Sequence, residues 1–335
     1  MKKLAVILSL VFGLSTALLF GRTAQADGDE PKKSYSVQAI LPDNQLNKDV
    51  SYYDLKVEPN QKTTLKLLVS NTGQESISVD VELNNAYTTN SATIGYDKYS
   101  AKTYKSKNPE LSSLVEGKRK QTVKLKAGET QQVSFNITAP NKEFTGIILG
   151  GLTTTAGVSS NEKSKVNVAN QIRYVKGVVL HSKGDQVESN LNLKSAAPND
   201  YDDSVGIAYN LTNEAPININ DLKVKAKISH KGLKDTNYKA ENLQIAPDSK
   251  FQYYVPIKHL KPGIYTTELT FYNDAGFSKT MTNKLKVTQG KIQALDESTQ
   301  EASSNKTLIY VILGLVAVMF VGLWVFFYFS GKRLK

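Results

Sequence analysis

The sequence predicts an all-β fold, two tandem Ig-like β-sandwich domains plus one C-terminal transmembrane helix. Three observations predict it. Apolar and polar residues alternate over short stretches, as at Ile77, Val79, Val81 and Leu83, at Val133, Phe135 and Ile137, and at Val224, Ala226 and Ile228. A period of two with β-branched residues marks strands with one buried face. Turn signals punctuate these stretches at Asn71-Thr72-Gly73, Lys126-Ala127-Gly128-Glu129, Pro262-Gly263 and Asn273-Asp274-Ala275-Gly276. The only strongly apolar segments sit at the two ends of the 335-residue chain.

Residues 1–26 read as a signal peptide: Met1-Lys2-Lys3, an apolar run from Leu4 to Phe20, then Ala24-Gln25-Ala26. A small-residue site at that distance from the apolar run predicts cleavage after Ala26. From Ser34 to Thr288 the chain is strand-patterned, with no convincing amphipathic helix, which is the grammar of antiparallel sandwiches. The halves share an order of elements. In the first, Leu65 to Asn71 is followed by Ile77 to Leu83, a turn, Val133 to Ile137 and Gly146-Ile147. In the second, Val205 to Asn213 is followed by Leu222 to Ile228, a turn, Phe251 to Val255 and Gly263-Ile264. Duplication and convergent sandwich punctuation both explain the parallel. From Asn71 to Gly128 is 57 positions against 34 from Asn213 to Pro247, which places an insertion of about 23 residues within residues 84–120.

The reading sets the first domain at 34–160 and the second at 165–288, with a short, stiff junction. Residues 289–306 form a polar stalk, structureless or weakly helical, that reaches at most about 60 Å when extended. Leu308 to Phe329 is an uncharged apolar run of 22 residues, enough to cross a bilayer core. Lys332, Arg333 and Lys335 in the tail 330–335 then predict a cytoplasmic C-terminus, with the ectodomain outside and facing the wall of the cell.

Cysteine is absent, which excludes disulfides and thiolate-held metals or clusters. Of the 42 basic residues, 7 flank the leader and the anchor (Lys2, Lys3, Arg22, Lys306, Lys332, Arg333 and Lys335), which leaves 35 against 31 acidic ones. The ectodomain is therefore only mildly basic, about +4, and nucleic acid is not an expected partner. His181, His230 and His259 are isolated, and no pair of carboxylates stands out for glycoside hydrolysis. Asp200, Asp202 and Asp203 lack the glycine and terminal glutamate of a calcium loop. No catalytic residue, cofactor or metal is expected.

Taken together, the order of segments resembles the membrane-anchored WxL-interacting proteins of Gram-positive bacteria. The resemblance rests on Leu41-Pro42-Asp43-Asn44-Gln45, Tyr52-Tyr53-Asp54-Leu55-Lys56-Val57, Asn84 to Asn90, Ile94-Gly95-Tyr96 and Phe144 to Leu152 in the first half. In the second half it rests on Ala246-Pro247-Asp248-Ser249 and Leu260 to Tyr265. It departs at Asn60, where relatives often carry glycine after the proline. The resemblance implies a first domain of the peptidoglycan-binding type, a second of the host-binding type, and partners that carry WxL domains. It names no catalytic residue.

Two stretches are candidate contacts with glycan or a partner. The insertion interleaves Tyr87, Tyr96, Tyr99 and Tyr104 with Lys98, Lys102 and Lys105. Aromatic faces stack on sugar rings, and lysines meet the anionic groups of wall polymers. The same residues would equally cap the sandwich edge and keep it soluble. The second stretch is Tyr52-Tyr53-Asp54-Leu55, where alternation exposes either Tyr52 or Tyr53. The function expected is non-catalytic: docking of WxL-domain surface proteins and contact with peptidoglycan, an extended partner strand adding to a sheet edge. The alternative is a direct adhesin for host matrix proteins.

Overall fold

The structure is a computed structural model that describes residues 35–157, 172–184, 187–201, 204–258 and 260–295. The signal peptide with its Ala26 site, residues 296–306 of the stalk, the apolar run 308–329, the tail 330–335, and Asp202 and Asp203 lie outside the described residues. Among the described residues no helix is long and apolar enough to cross a membrane.

The first sandwich contains β1 (Tyr35–Ile40), β2 (Tyr53–Lys56), β3 (Lys62–Asn71), β4 (Ile77–Asn85), β7 (Lys120–Leu125), β8 (Thr130–Thr138), β9 (Ile147–Gly157) and β10 (Arg173–His181). Between β4 and β7 lie a small hairpin, β5 (Tyr87–Thr88) and β6 (Ile94–Gly95), and a 3-10 turn at Leu111–Ser113. One sheet has the order β1-β3-β8 and the other β2-β10-β9-β4-β7. Among the described residues only β2 and β10 run parallel. The alternation predicted from sequence is the packing observed. Leu65, Leu67 and Val69 of β3 meet Val79, Val81 and Leu83 of β4 and Val133, Phe135 and Ile137 of β8 in one core.

Two buried phenols lock this core. Tyr53 is fully buried and donates its hydroxyl hydrogen to the Lys66 carbonyl at 2.5 Å, tying one sheet to the other. Tyr35 is equally buried and donates to the Ile172 carbonyl at 2.8 Å. Tyr52, the neighbour of Tyr53, therefore points to solvent.

The second sandwich contains β11 (Leu191–Tyr201), β12 (Ser204–Asn213), β13 (Ile219–His230), β14 (Thr236–Ile245), β15 (Ser249–Pro256), β16 (Gly263–Tyr272) and β17 (Ser278–Val287). Its sheets have the orders β11-β12-β15 and β14-β13-β16-β17. These repeat the first sandwich strand for strand: β11-β12-β15 corresponds to β1-β3-β8, and β14-β13-β16-β17 to β7-β4-β9-β10. The connection between β4 and β7 is long where that between β13 and β14 is a tight turn, as the sequence spacing predicts.

The strand-ending asparagines are the same corner twice. Asn71 donates from Nδ2 to the carbonyls of Glu75, Leu125 and Lys126, while its Oδ1 accepts from the Gly73 amide. Asn213 donates from Nδ2 to Ile217 and Ala246, while its Oδ1 accepts from the Ala215 amide. Each side chain replaces the backbone partners that a chain leaving its sheet gives up.

Two features lie near the boundaries read from the sequence. Within the stretch 165–288, read as the second domain, β10 pairs with β9 and β2 in a sheet of the first sandwich. A period of two shows which face of a strand is buried, but not which neighbour it joins. At the other end, residues 289–295 of the expected stalk are helical and packed. Thr288 caps this turn, its Oγ1 accepting from the Lys291 amide at 3.3 Å. Ile292 is buried in the core of the second sandwich.

Candidate functional site

The sheet β2-β10-β9-β4-β7 buries one face and turns the other outward. On that outer face Gly151 of β9 and Gly177 of β10 lie directly opposite each other. Glycine inside a strand usually marks a close approach, and here the approach is aromatic. A Cβ at Gly151 would stand 3.0 Å from Cδ1 of Tyr96 and 3.1 Å from Cγ1 of Val175. A Cβ at Gly177 would stand 3.8 Å from Cβ of Tyr52. The Tyr96 ring thus packs over Gly151 and Tyr52 over Gly177. Tyr52 and Val175 each keep 39% of their surface exposed.

Tyr96 is fixed from behind. Its carbonyl accepts from Asn84 Nδ2 at 3.0 Å and from Thr153 Oγ1 at 2.8 Å. Burial pushes its phenol up to about 12, and the nearby Tyr52 adds to the shift. Beside it, Ala86, Ile94, Ile147, Leu149 and Val179 form a small second core that seats the β5–β6 hairpin on the sheet.

Tyr87 and Lys98 form a separate group at the rim. The Tyr87 hydroxyl donates to Asp97 Oδ1 at 2.6 Å, Lys98 Nζ sits 4.2 Å from its ring centre, and Arg173 pairs with Asp97 at 2.6 Å. Burial, with the adjacent Asp97, pushes the Tyr87 phenol up to about 12. The Tyr87 bond and the Arg173 charge hold the Asp97 carboxyl below its ordinary value. Tyr99 is exposed and stacks under the Arg119 guanidinium, 3.9 Å from the ring centre.

Lys102 is exposed and pairs with Glu110 of the same sandwich at 3.1 Å. Tyr104 and Lys105 lie against the second sandwich. The Tyr104 amide donates to the Asp248 carbonyl at 2.5 Å, and Lys105 Nζ lies 5.2 Å from the Tyr104 ring centre. Around them the insertion grips the other domain. Thr88 Oγ1 bonds Ser249 Oγ at 2.7 Å and accepts from the Ala246 amide at 3.0 Å. The Gln244 amide donates to the Ala92 carbonyl at 2.7 Å, and the Ala92 methyl is fully buried in the second sandwich's core. Ser106 donates to Asp248 Oδ2 at 2.6 Å. Burial pushes the Asp248 carboxyl above its ordinary value, against the Ser106 bond, which draws it down. Gly146 closes the joint from the other side: its φ is 72°, and a Cβ there would collide with the Pro216 carbonyl.

The structure therefore seats Tyr52 and Tyr96 side by side, sets Tyr87 and Lys98 at the rim, leaves Tyr99 with Arg119 and Lys102 with Glu110, and sends Tyr104 and Lys105 to the interdomain joint. Sequence reasoning passed over Gly151, Gly177, Val175, Asp97 and Arg173. The available signal was a glycine pair inside an apolar strand, Leu149-Gly150-Gly151-Leu152.

Comparison with known proteins adds the following. Residues 35–156 match the family model described as WxL Interacting Protein, peptidoglycan binding domain. Residues 163–297 match that of WxL Interacting Protein, host binding domain. The second match begins upstream of β10, the strand that completes the first sandwich. No curated protein matches the chain. Among solved structures, the chain is similar to one from a chaperone–tip adhesin complex of CFA/I fimbriae biogenesis, at 12% identity and a TM-score of 0.31, covering 76% of this chain and 98% of that one. It is similar to the class 5 fimbriae chaperone CfaA at 13% identity and a TM-score of 0.28, covering 69% and 95%. It is similar to the E. coli chaperone DraB at 11% identity and a TM-score of 0.27, covering 76% and 99%.

Proposed function

As the chain belongs to the WxL-interacting protein family, we propose that it is a non-catalytic cell-surface binding protein that holds peptidoglycan glycan on the outer face of its first sandwich. The observation that carries the reading is the partly exposed pair Tyr52 and Tyr96, seated side by side on Gly177 and Gly151. Aromatic faces present their negative quadrupole to the C–H groups of a pyranose ring. The peptidoglycan-binding description of the first matched model supports that ligand class.

In the same reading residues 308–329 anchor the chain in the plasma membrane with both sandwiches outside, and WxL-domain proteins dock on it non-covalently. Uncharged length and flanking cations support the anchor. The host-binding description of the second matched model favours host proteins as a further partner class.

The test is sedimentation of the full-length chain with purified peptidoglycan. Tyr52→Ala and Tyr96→Ala are each expected to weaken retention by about 3- to 10-fold, the worth of one aromatic stacking contact. Full retention by a folded double variant would remove the tyrosine pair from the account. Co-purification of a WxL-domain chain from the native membrane tests docking separately.

A further inference from the structure

The sheet β14-β13-β16-β17 turns its outer face to solvent, and alternation lines β13 with outward Lys223, Lys225 and Lys227. The outer two are neutralised: Lys223 pairs with Asp274 at 2.9 Å and Lys227 with Asp235 at 3.2 Å. Lys225 has no carboxylate partner among the described residues. Its neighbour across the strands is a second lysine, Lys239.

Like charges directly opposite on adjacent strands destabilise a sheet, so this pairing calls for a reason. The row continues with Thr270 of β16 opposite Lys225 and Thr280 of β17 opposite Thr270, their hydroxyls 2.9 Å apart. Four strands thus present ammonium, ammonium, hydroxyl, hydroxyl. The Tyr272 ring steadies Lys225, whose Nζ lies 4.6 Å from the ring centre. The row lines a groove of about 520 Å³ whose one lining carboxylate, Glu268, stands in the next row opposite Lys227.

We propose that this row binds the sulfate or phosphate groups of a polyanionic chain. An oxyanion between Lys225 and Lys239 converts their repulsion into two charge-assisted hydrogen bonds, and the Thr270–Thr280 hydroxyl pair supplies one further donor. Lys223 and Lys227, each held by its own carboxylate, flank the site at the strand repeat of about 7 Å and confine the contact to the Lys225–Lys239 row. The site goes beyond glycan binding by the first sandwich and does not depend on it.

Surface plasmon resonance of the full-length chain tests this, with immobilised heparin as the sulfate arm, polyphosphate as the phosphate arm and uncharged dextran as the blank. The chain is expected to bind at least one polyanion, and the responding arm identifies the group. The Lys225→Gln/Lys239→Gln variant is expected to bind about tenfold or more weakly, the loss of two charge-assisted contacts. Lys66→Gln/Lys250→Gln, which removes equal charge from other faces, is expected to change affinity about twofold at most. The site variant should also melt no lower than the parent at low salt, since it relieves a like-charge pair. Binding of neither polyanion, or equal weakening by both double variants, overturns the proposal.

Discussion

Ser106, in a loop of the first sandwich, donates its hydroxyl hydrogen to the carboxylate of Asp248 in the second at 2.6 Å. Only 5% of Asp248 is exposed, and its backbone sits at a φ of 43°. The same residue accepts the Tyr104 amide, so one buried aspartate holds the insertion by side chain and main chain together.

This placement makes stability depend on pH. Burial raises the folded-state value of the Asp248 carboxyl above 3.8, so the folded chain holds that proton more tightly than the unfolded chain. Its contribution is present in full below 3.8 and is lost as pH rises through the raised value. Asp248→Asn keeps an acceptor for Ser106 and tolerates positive φ. The prediction is that Asp248→Asn melts at or above the parent at pH 7, and that the gap shrinks toward pH 4. Thermal unfolding of both chains across that range checks it, the difference between the curves removing the other titrating groups.

The paired glycines under Tyr52 and Tyr96 should respond in opposite directions. Gly177→Ala meets only ordinary contacts and is expected to stabilise the fold by about 0.5–1 kcal/mol through reduced chain entropy. Gly151→Ala drives its methyl against Tyr96 and Val175, and is expected to cost about 1–3 kcal/mol. Denaturant unfolding gives both signs. Equal effects would show that Tyr96 does not rest on Gly151.

The two corner asparagines donate to buried and half-buried carbonyls, of which that of Ala246 also accepts from Ser249 Oγ. Asn71→Ala and Asn213→Ala are each expected to cost about 2 kcal/mol or more, the penalty for polar groups left unpaired. Asn71→Asp is expected to cost at least as much, because a carboxylate cannot donate to the three carbonyls that Asn71 serves. Chemical denaturation of the three variants checks the ranking.

Gly146→Ala tests the interdomain joint. The substitution meets both a left-handed φ of 72° and the Pro216 carbonyl. Left-handed backbone alone costs an alanine about 1–2 kcal/mol. The expected outcome is a single thermal transition in the parent and two in the variant, by calorimetry, with faster proteolysis near residues 101–108.

Much of this was legible in the chain. The alternation at Val133, Phe135 and Ile137 located a buried face, the asparagines at 71 and 213 marked the repeat, and a difference in spacing located the insertion. Where the insertion goes was not legible. Ala92 is one small residue between Thr89, Ser91 and Thr93, and nothing in its neighbourhood signals burial in another domain's core. Tyr104 reads as part of an exposed basic aromatic run because charge and aromaticity describe a surface without saying what covers it, while Lys102 and Lys105 do stay exposed. The partner strand of β10 was hidden for the related reason that pairing is a long-range property. The Tyr52–Tyr96 pair falls between these cases: both tyrosines stand out in the sequence, while the glycines that seat them matter only once β9 and β10 are side by side.

The hairpin that carries Thr88 also sets an order of events. It leaves the ribosome well before its seat does, since Ser249 lies 161 positions downstream. Until those later residues emerge, the methyl of Ala92 and the polar groups of Thr88 have nowhere to go, and the first half is a nascent unit with one element undocked. Contacts of such sequence separation close late and slowly. The final step of maturation is therefore the docking of an early segment onto a late one, and a truncated product that ends before Gln244 would expose the gap to proteases and quality control.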